Sequence, residues 1–202
     1  MFARIALAAA TAALFAMPAH AGGLMVKLID QAGRPVPDAV ITVKPSAGIP
    51  RGPIRFPWGT SIVQQGIAFN PHVLIVPVGA TVAFPNKDKV RHHVYSFSKP
   101  ARFELKLYGR DESHSYTFKT AGAVAIGCNI HDSMSGFIKV VDTPFAAKSA
   151  ASGVASIAAI PAGPATVTVW HPRLRARGNE MTWTVPISAT GDASRQATLQ
   201  LR

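Results

Sequence analysis

From residue 22 onward the chain is built of short apolar runs separated by clusters of Gly, Pro, Asn and Asp. The runs are rich in Val, Ile, Thr and Phe, and helical periodicity is nearly absent. That pattern predicts an all-β sandwich. Strands are predicted at 24–29, 39–43, 73–76, 81–84, 92–97, 115–118, 123–126 and 136–141. The first two, joined by the turn Asp30-Gln31-Ala32-Gly33-Arg34-Pro35, read as a small hairpin. Pro45, Pro50, Pro53 and Pro57 rule out regular structure between 44 and 59, which reads as a linker or long loop pinned at its end by Trp58. Residues 99–113 are mixed and define no element.

Residues 1–21 have another character. Arg4 carries the charge of an n-region, residues 5–17 are apolar and alanine-rich, and Ala19-His20-Ala21 has a small–x–small cleavage form. Together they read as a secretory signal peptide, which places the mature protein in the periplasm. No later stretch approaches the length of a membrane span. The division expected is 1–21 signal peptide, 22–59 N-terminal strands and linker, 60–141 a central domain, and 142–202 C-terminal strands that pair with 22–43.

The formal charge is +11, or +10 with 20 basic against 10 acidic side chains once Arg4 leaves with the leader. No dense Lys/Arg run and no aromatic–basic interleaving is present, so a nucleic-acid platform is excluded. The basic excess reads either as a plain solvated surface or as one that steers encounter with an acidic protein partner or an anionic membrane face.

Candidate chemistry concentrates in residues 127–136. Cys128 is the only cysteine, so in an exported chain it has no internal partner. His131 follows three residues later and Met134 three after that. Thiolate, imidazole and thioether form the soft donor set that copper favours, and a second imidazole would complete a blue-copper site with methionine as weak axial ligand. His92 or His93 can supply it. Adjacent strand residues face opposite sides, and apolar Val94 shares its face with His92, so alternation favours His92. The expected metal ligands are His92, Cys128, His131 and Met134.

With these residues in view, 61–141 resembles the cupredoxin family, most of all its plastocyanin and amicyanin branch. Phe69-x-Pro71 followed by Val76-x-x-Gly79-x-x-Val82-x-Phe84-x-Asn86 resembles the family's opening strands. His92-His93-Val94 stands where the family has His-Asn-Val, residues 118–122 resemble its Phe-x-x-x-Gly corner, and Cys128-x-x-His131-x-x-Met134-x-Gly136 has amicyanin spacing. The resemblance covers about 40% of the chain. It implies a Greek-key fold, one bound copper cycling between Cu(I) and Cu(II), and one-electron transport between periplasmic redox proteins rather than enzymatic turnover. The same loop would also serve a copper-binding or delivery module that does not cycle.

Two positions depart from the family pattern. His93 replaces its asparagine, leaving three roles open: a substitute hydrogen bond to the ligand loop, titration near neutrality, or metal binding. Asp132 stands where amicyanin-like loops tend to carry proline. The chain ends, at 24–43 and 149–169, resemble the two halves of a carboxypeptidase-regulatory-like sandwich. The central domain is then inserted within that sandwich or packs with it as one elongated body; otherwise the ends are extra strands on a single sandwich.

Overall fold

The computed structural model describes residues 21–202, so the leader reading, apart from Ala21, lies outside the described residues. The described chain is all-β. In order the strands are β1 (Ala21–Asp30), β2 (Val40–Pro45), β3 (Val63–Gln64), β4 (Phe69–Asn70), β5 (Val73–Pro77), β6 (Thr81–Pro85), β7 (His92–Ser96) and β8 (Phe103–Tyr108). They continue with β9 (Ser113–Thr117), β10 (Gly122–Gly127), β11 (Ser135–Val141), β12 (Ala146–Lys148), β13 (Val154–Pro161), β14 (Gly163–Trp170), β15 (Glu180–Ile187) and β16 (Asp192–Leu199).

Strands from the two chain ends share sheets. One sheet runs β13-β1-β16 and a second β12-β2-β14-β15. Their facing sides alternate as a half-buried sheet requires. Leu24, Val26 and Leu28 of β1 and Ala165, Val167 and Val169 of β14 turn into one apolar core, while Lys27, Thr166 and Thr168 turn away from it.

The expected hairpin between the first two strands does not form: β1 and β2 lie in different sheets. The turn itself is made, with Asp30 Oδ1 accepting the N–H groups of Ala32 and Arg34, and Gly33 at φ 76°. The chain bridges back at Ile29 and Pro35 and the Val36 N–H reaches Leu28 O. Pro35 and Pro37 have no N–H to extend that ladder. Asp38 then takes φ 59° and the chain crosses to the opposite sheet.

The middle of the chain makes a second sandwich. Its main sheet is β5-β11-β10-β7-β8, faced by the β6-β9 pair. Leu74, Val76, Val82, Phe84, Val94, Phe118, Val124, Ile138 and Val140 fill the core between them. Val73-Leu74-Ile75-Val76 is an unbroken apolar run because both its faces are covered. Leu74 and Val76 face this core, whereas Val73 and Ile75 face Val40, Ala146 and Trp170 of the other sandwich. Trp58 closes the 46–62 segment onto this seam, its indole N–H donating to Ile75 O at 2.8 Å. Lys139 pairs across it with Glu180 at 2.6 Å.

Residues 99–113, which define no element by sequence, contain β8 and the start of β9. The alternation of Phe103, Leu105 and Leu107 is broken at Tyr108. Tyr108 is buried while Leu107 is 38% exposed, so the apolar stripe changes sides within one strand.

Candidate metal centre

The centre forms where β7 meets the loop that joins β10 to β11. β10 carries the chain along the core to Cys128 at its end, and the loop then closes on itself: Met134 N–H donates to His131 O at 2.9 Å and Cys128 N–H to Met134 O at 3.2 Å. Two backbone bonds in seven residues fix the spacing of three donor side chains. Gly136 follows where the returning strand passes tightly; a Cβ there would lie 3.1 Å from Phe69 Cβ.

His92, Cys128 and His131 present donor atoms that all lie within 4.8 Å of one another. His131 Nδ1 is 3.7 Å from Cys128 Sγ, and His92 Nδ1 is 4.0 Å from it. The two rings meet edge to face with centroids 5.0 Å apart. Met134 is 1% exposed and packs in the same core as Cys128, which is 3% exposed. His93 points elsewhere: its Nε2 meets Glu104 Oε1 at 2.8 Å, and its ring lies 5.7 Å from that of Tyr95.

Sequence reasoning missed the device that aims His92. Its Nε2 is 2.8 Å from Asp88 Oδ2. The same carboxylate accepts the N–H of Gly66 at 2.7 Å and of Ile67 at 2.9 Å. Burial opposes the Asp88 charge, but the Ile67 and Gly66 N–H groups and His92 outweigh it and hold the carboxyl below the usual carboxylate range. An ionised carboxylate only accepts, so Nε2 of His92 carries the proton and Nδ1 keeps its lone pair, turned toward Cys128. Asn86, fully buried, shapes this turn by donating to Val90 O and accepting from the Asp88 N–H, each at 2.9 Å. The available signal was Asp88 four residues before His92 in a Pro-Asn-x-Asp turn. It reads as a strand end unless the Gly66–Ile67 loop is known to pass beside it.

Tyr108 backs the site from the core. Its hydroxyl donates to Phe84 O at 2.6 Å and contacts Gln64. Burial pushes its pKa up to about 12 despite the Gln64 hydrogen bond, so it stays neutral.

The donor set fits a metal. With metal–sulfur and metal–nitrogen bonds of about 2.3 and 2.0 Å, sulfur and nitrogen on one trigonal or tetrahedral ion stand about 3.5–3.7 Å apart. The observed 3.7 and 4.0 Å need only small adjustment. Two imidazoles and one thiolate with a neighbouring thioether are the blue-copper donor types.

The middle sandwich is cupredoxin-like.

No family model and no curated protein matches this chain. Solved structures similar to it include cupredoxins and a copper-containing nitrite reductase. A copper-containing nitrite reductase from Thermus scotoductus is 30% identical, over 44% of this chain and 23% of its own, with a TM-score of 0.40. This chain thus spans about a quarter of that reductase. A purple cupredoxin from Nitrosopumilus maritimus is 22% identical over 41% of this chain and 100% of its own, at a TM-score of 0.37. A reduced amicyanin point mutant is 23% identical over 52% of this chain and 99% of its own, at 0.38.

The remaining features of the site concern access. His131 is partly exposed and the neighbouring Ile130 is 50% exposed. Ile67 and Val90, on the two segments that meet at Asp88, are each 44% exposed. Asp132 is exposed beside an open hollow lined also by Cys128 and Met134. Phe137 instead packs against Trp170 at the seam, with ring centroids 5.6 Å apart. Among the other histidines, His114 stacks on Tyr108 at 4.3 Å and His72 lies edge-on to Phe137 at 5.4 Å. His171 is 7% exposed.

Proposed function

We propose that the protein is a one-electron carrier of the blue-copper type, with His92, Cys128, His131 and Met134 as ligands and the periplasm as its compartment. The observation that carries the reading is the convergence of Nδ1 of His92, Nδ1 of His131 and Sγ of Cys128, two of them from one closed loop and one from a strand. Copper bound there would supply a single electron, exchanged between Cu(I) and Cu(II). The residues supply a fixed cage. Cys128 binds as thiolate, the form metals take. Asp88 holds the His92 proton on Nε2 and so keeps Nδ1 as a donor. Met134 and the surrounding apolar core bury most of the thiolate, with Cys128 3% exposed. His131 offers the exposed edge, so the electron's path to a partner runs through its ring beside Ile130.

Donors fixed by the closed loop and by the Asp88 contact to His92 need move little between oxidation states, which favours transfer over release. The domain reading follows. Residues 60–141 form the copper domain, inserted between strands that return to pair with one another. The partners are redox proteins with an acidic docking face, matched to the basic excess of this chain. The experiment is a redox titration of the copper-loaded protein combined with a metal-exchange assay. Reversible one-electron cycling with copper retained over many turnovers is expected. Loss of copper to a chelator on each reduction would assign a delivery role instead.

A further inference from the structure

A cavity of about 670 Å³ lies away from the metal centre. It lies where the two sandwiches meet, lined from the middle of the chain by His72 and from the chain ends by His171, Arg173, Arg202 and a proline-rich wall. We propose that this cleft is a binding site for a small organic carboxylate.

Asp30, Asp38, Arg34, Arg173 and Arg202 all line it, and both acidic side chains are taken up by ion pairs, which leaves a basic excess among the side chains. Asp30 is held by Arg34 at 2.8 Å and Asp38 by Lys148 at 2.7 Å. Arg173 is oriented by a carboxylate oxygen of Arg202, the last residue of the sequence, which accepts from its Nε at 3.0 Å and from one terminal nitrogen at 2.6 Å. The guanidinium of Arg202 has no acidic side-chain partner among the described residues.

Two imidazoles complete the polar end. His171 is buried, and its Nδ1 accepts the Arg173 N–H at 3.2 Å. Burial and then Arg173 lower its pKa, so the neutral ring must carry its proton on Nε2, where nothing among the described residues accepts it. That N–H is a donor left for a ligand. His72 is oriented by a contact of its Nδ1 with Ser135 O at 3.2 Å, which leaves Nε2 free. The guanidinium groups and the His171 N–H are the donors that recognise a carboxylate. Pro35, Val36, Pro37, Pro172 and Leu201 give the cleft an apolar wall for the carbon body of the ligand. A pocket of this size with a few convergent polar groups is of the kind that holds small molecules. A bare inorganic anion would leave that wall unused.

The test uses the full chain without metal, so its outcome is independent of the copper reading. Succinate is titrated against imidazole NMR resonances, with inorganic phosphate as a second probe and chloride at matched ionic strength as control. Saturable succinate binding that shifts both His171 and His72 is expected, with phosphate weaker. Arg202→Ala, an exposed change that leaves the cores intact, should weaken succinate binding by about tenfold or more, the loss of a charge-assisted contact. His171→Gln should weaken it as well; if that variant does not fold, Arg202→Ala decides. No saturation by succinate, equal affinity for phosphate, or undiminished binding in Arg202→Ala would each overturn the proposal.

Discussion

Replacing Asp88 by asparagine tests how the protein sets its metal centre without touching a ligand. The carboxylate takes three hydrogen bonds, from Gly66 on Oδ1 and from Ile67 and His92 on Oδ2. An amide has one acceptor oxygen. If that oxygen keeps Ile67 and His92, the amide nitrogen faces the Gly66 N–H, donor against donor. The lost charged bond and the conflict should cost about 1–3 kcal/mol of stability, visible as a lower melting temperature of the metal-free protein. The electrostatic effect is separate. A carboxylate hydrogen-bonded to the far nitrogen of His92 sits roughly 6–7 Å from a metal on Nδ1, where a unit charge is worth about 2 kcal/mol at an effective dielectric of ~20. At 59 mV per tenfold change for one electron, that is about 100 mV. The Asp88 side chain is 15% exposed, so screening trims the effect to some tens of millivolts. Removing negative charge favours Cu(I), so Asp88→Asn should raise the reduction potential. A potentiometric titration of the copper-loaded variant measures it. A potential that is unmoved or falls, in a variant whose melting temperature has dropped, would refute the role given to Asp88.

Three further outcomes are expected. His92→Gly should open a coordination position that external imidazole fills, restoring the colour of the copper(II) protein, whereas His93→Ala should leave the colour in place; the reverse pair of spectra would move the ligand to His93. Electron transfer to an acidic partner should slow steeply as ionic strength rises, because the excess of basic groups acts over a Debye length of about 8–10 Å; a salt-independent rate measured by stopped flow would remove steering. His171 is held neutral by burial and Arg173, so its folded pKa lies below its unfolded value near 6.5. Between those two values the unfolded chain binds more protons. Stability should therefore fall as pH drops through that window, and His171→Gln should flatten the decline in denaturant melts.

Where a strand alternates cleanly, its place could be read from the sequence. Thr81-Val82-Ala83-Phe84 and Gly136-Phe137-Ile138-Lys139-Val140 send every second residue into the core, and both are strands as expected. The spacing of Cys128, His131 and Met134 was equally legible, because a closed loop is a local object. What escaped was long-range. Nothing local in residues 24–43 says that the turn at Asp30 leads to another sheet rather than to a hairpin, since that depends on β13, β14 and β16 arriving from the far end of the chain. Asp88 was invisible for the same reason. Its meaning lies in two backbone N–H groups about twenty residues upstream. β8 was lost because its apolar stripe changes sides at Tyr108.

The most direct test of the central reading is the absorption and EPR spectrum of the protein, residues 22–202, with one equivalent of copper(II), beside that of Cys128→Ser. An intense thiolate-to-copper band with a single copper per chain is predicted for the parent. The variant should lose that band while keeping the β-sheet circular dichroism of the parent. A colourless parent with copper bound, a parent that takes only zinc, or a variant that stays blue would contradict the assignment of His92, Cys128, His131 and Met134.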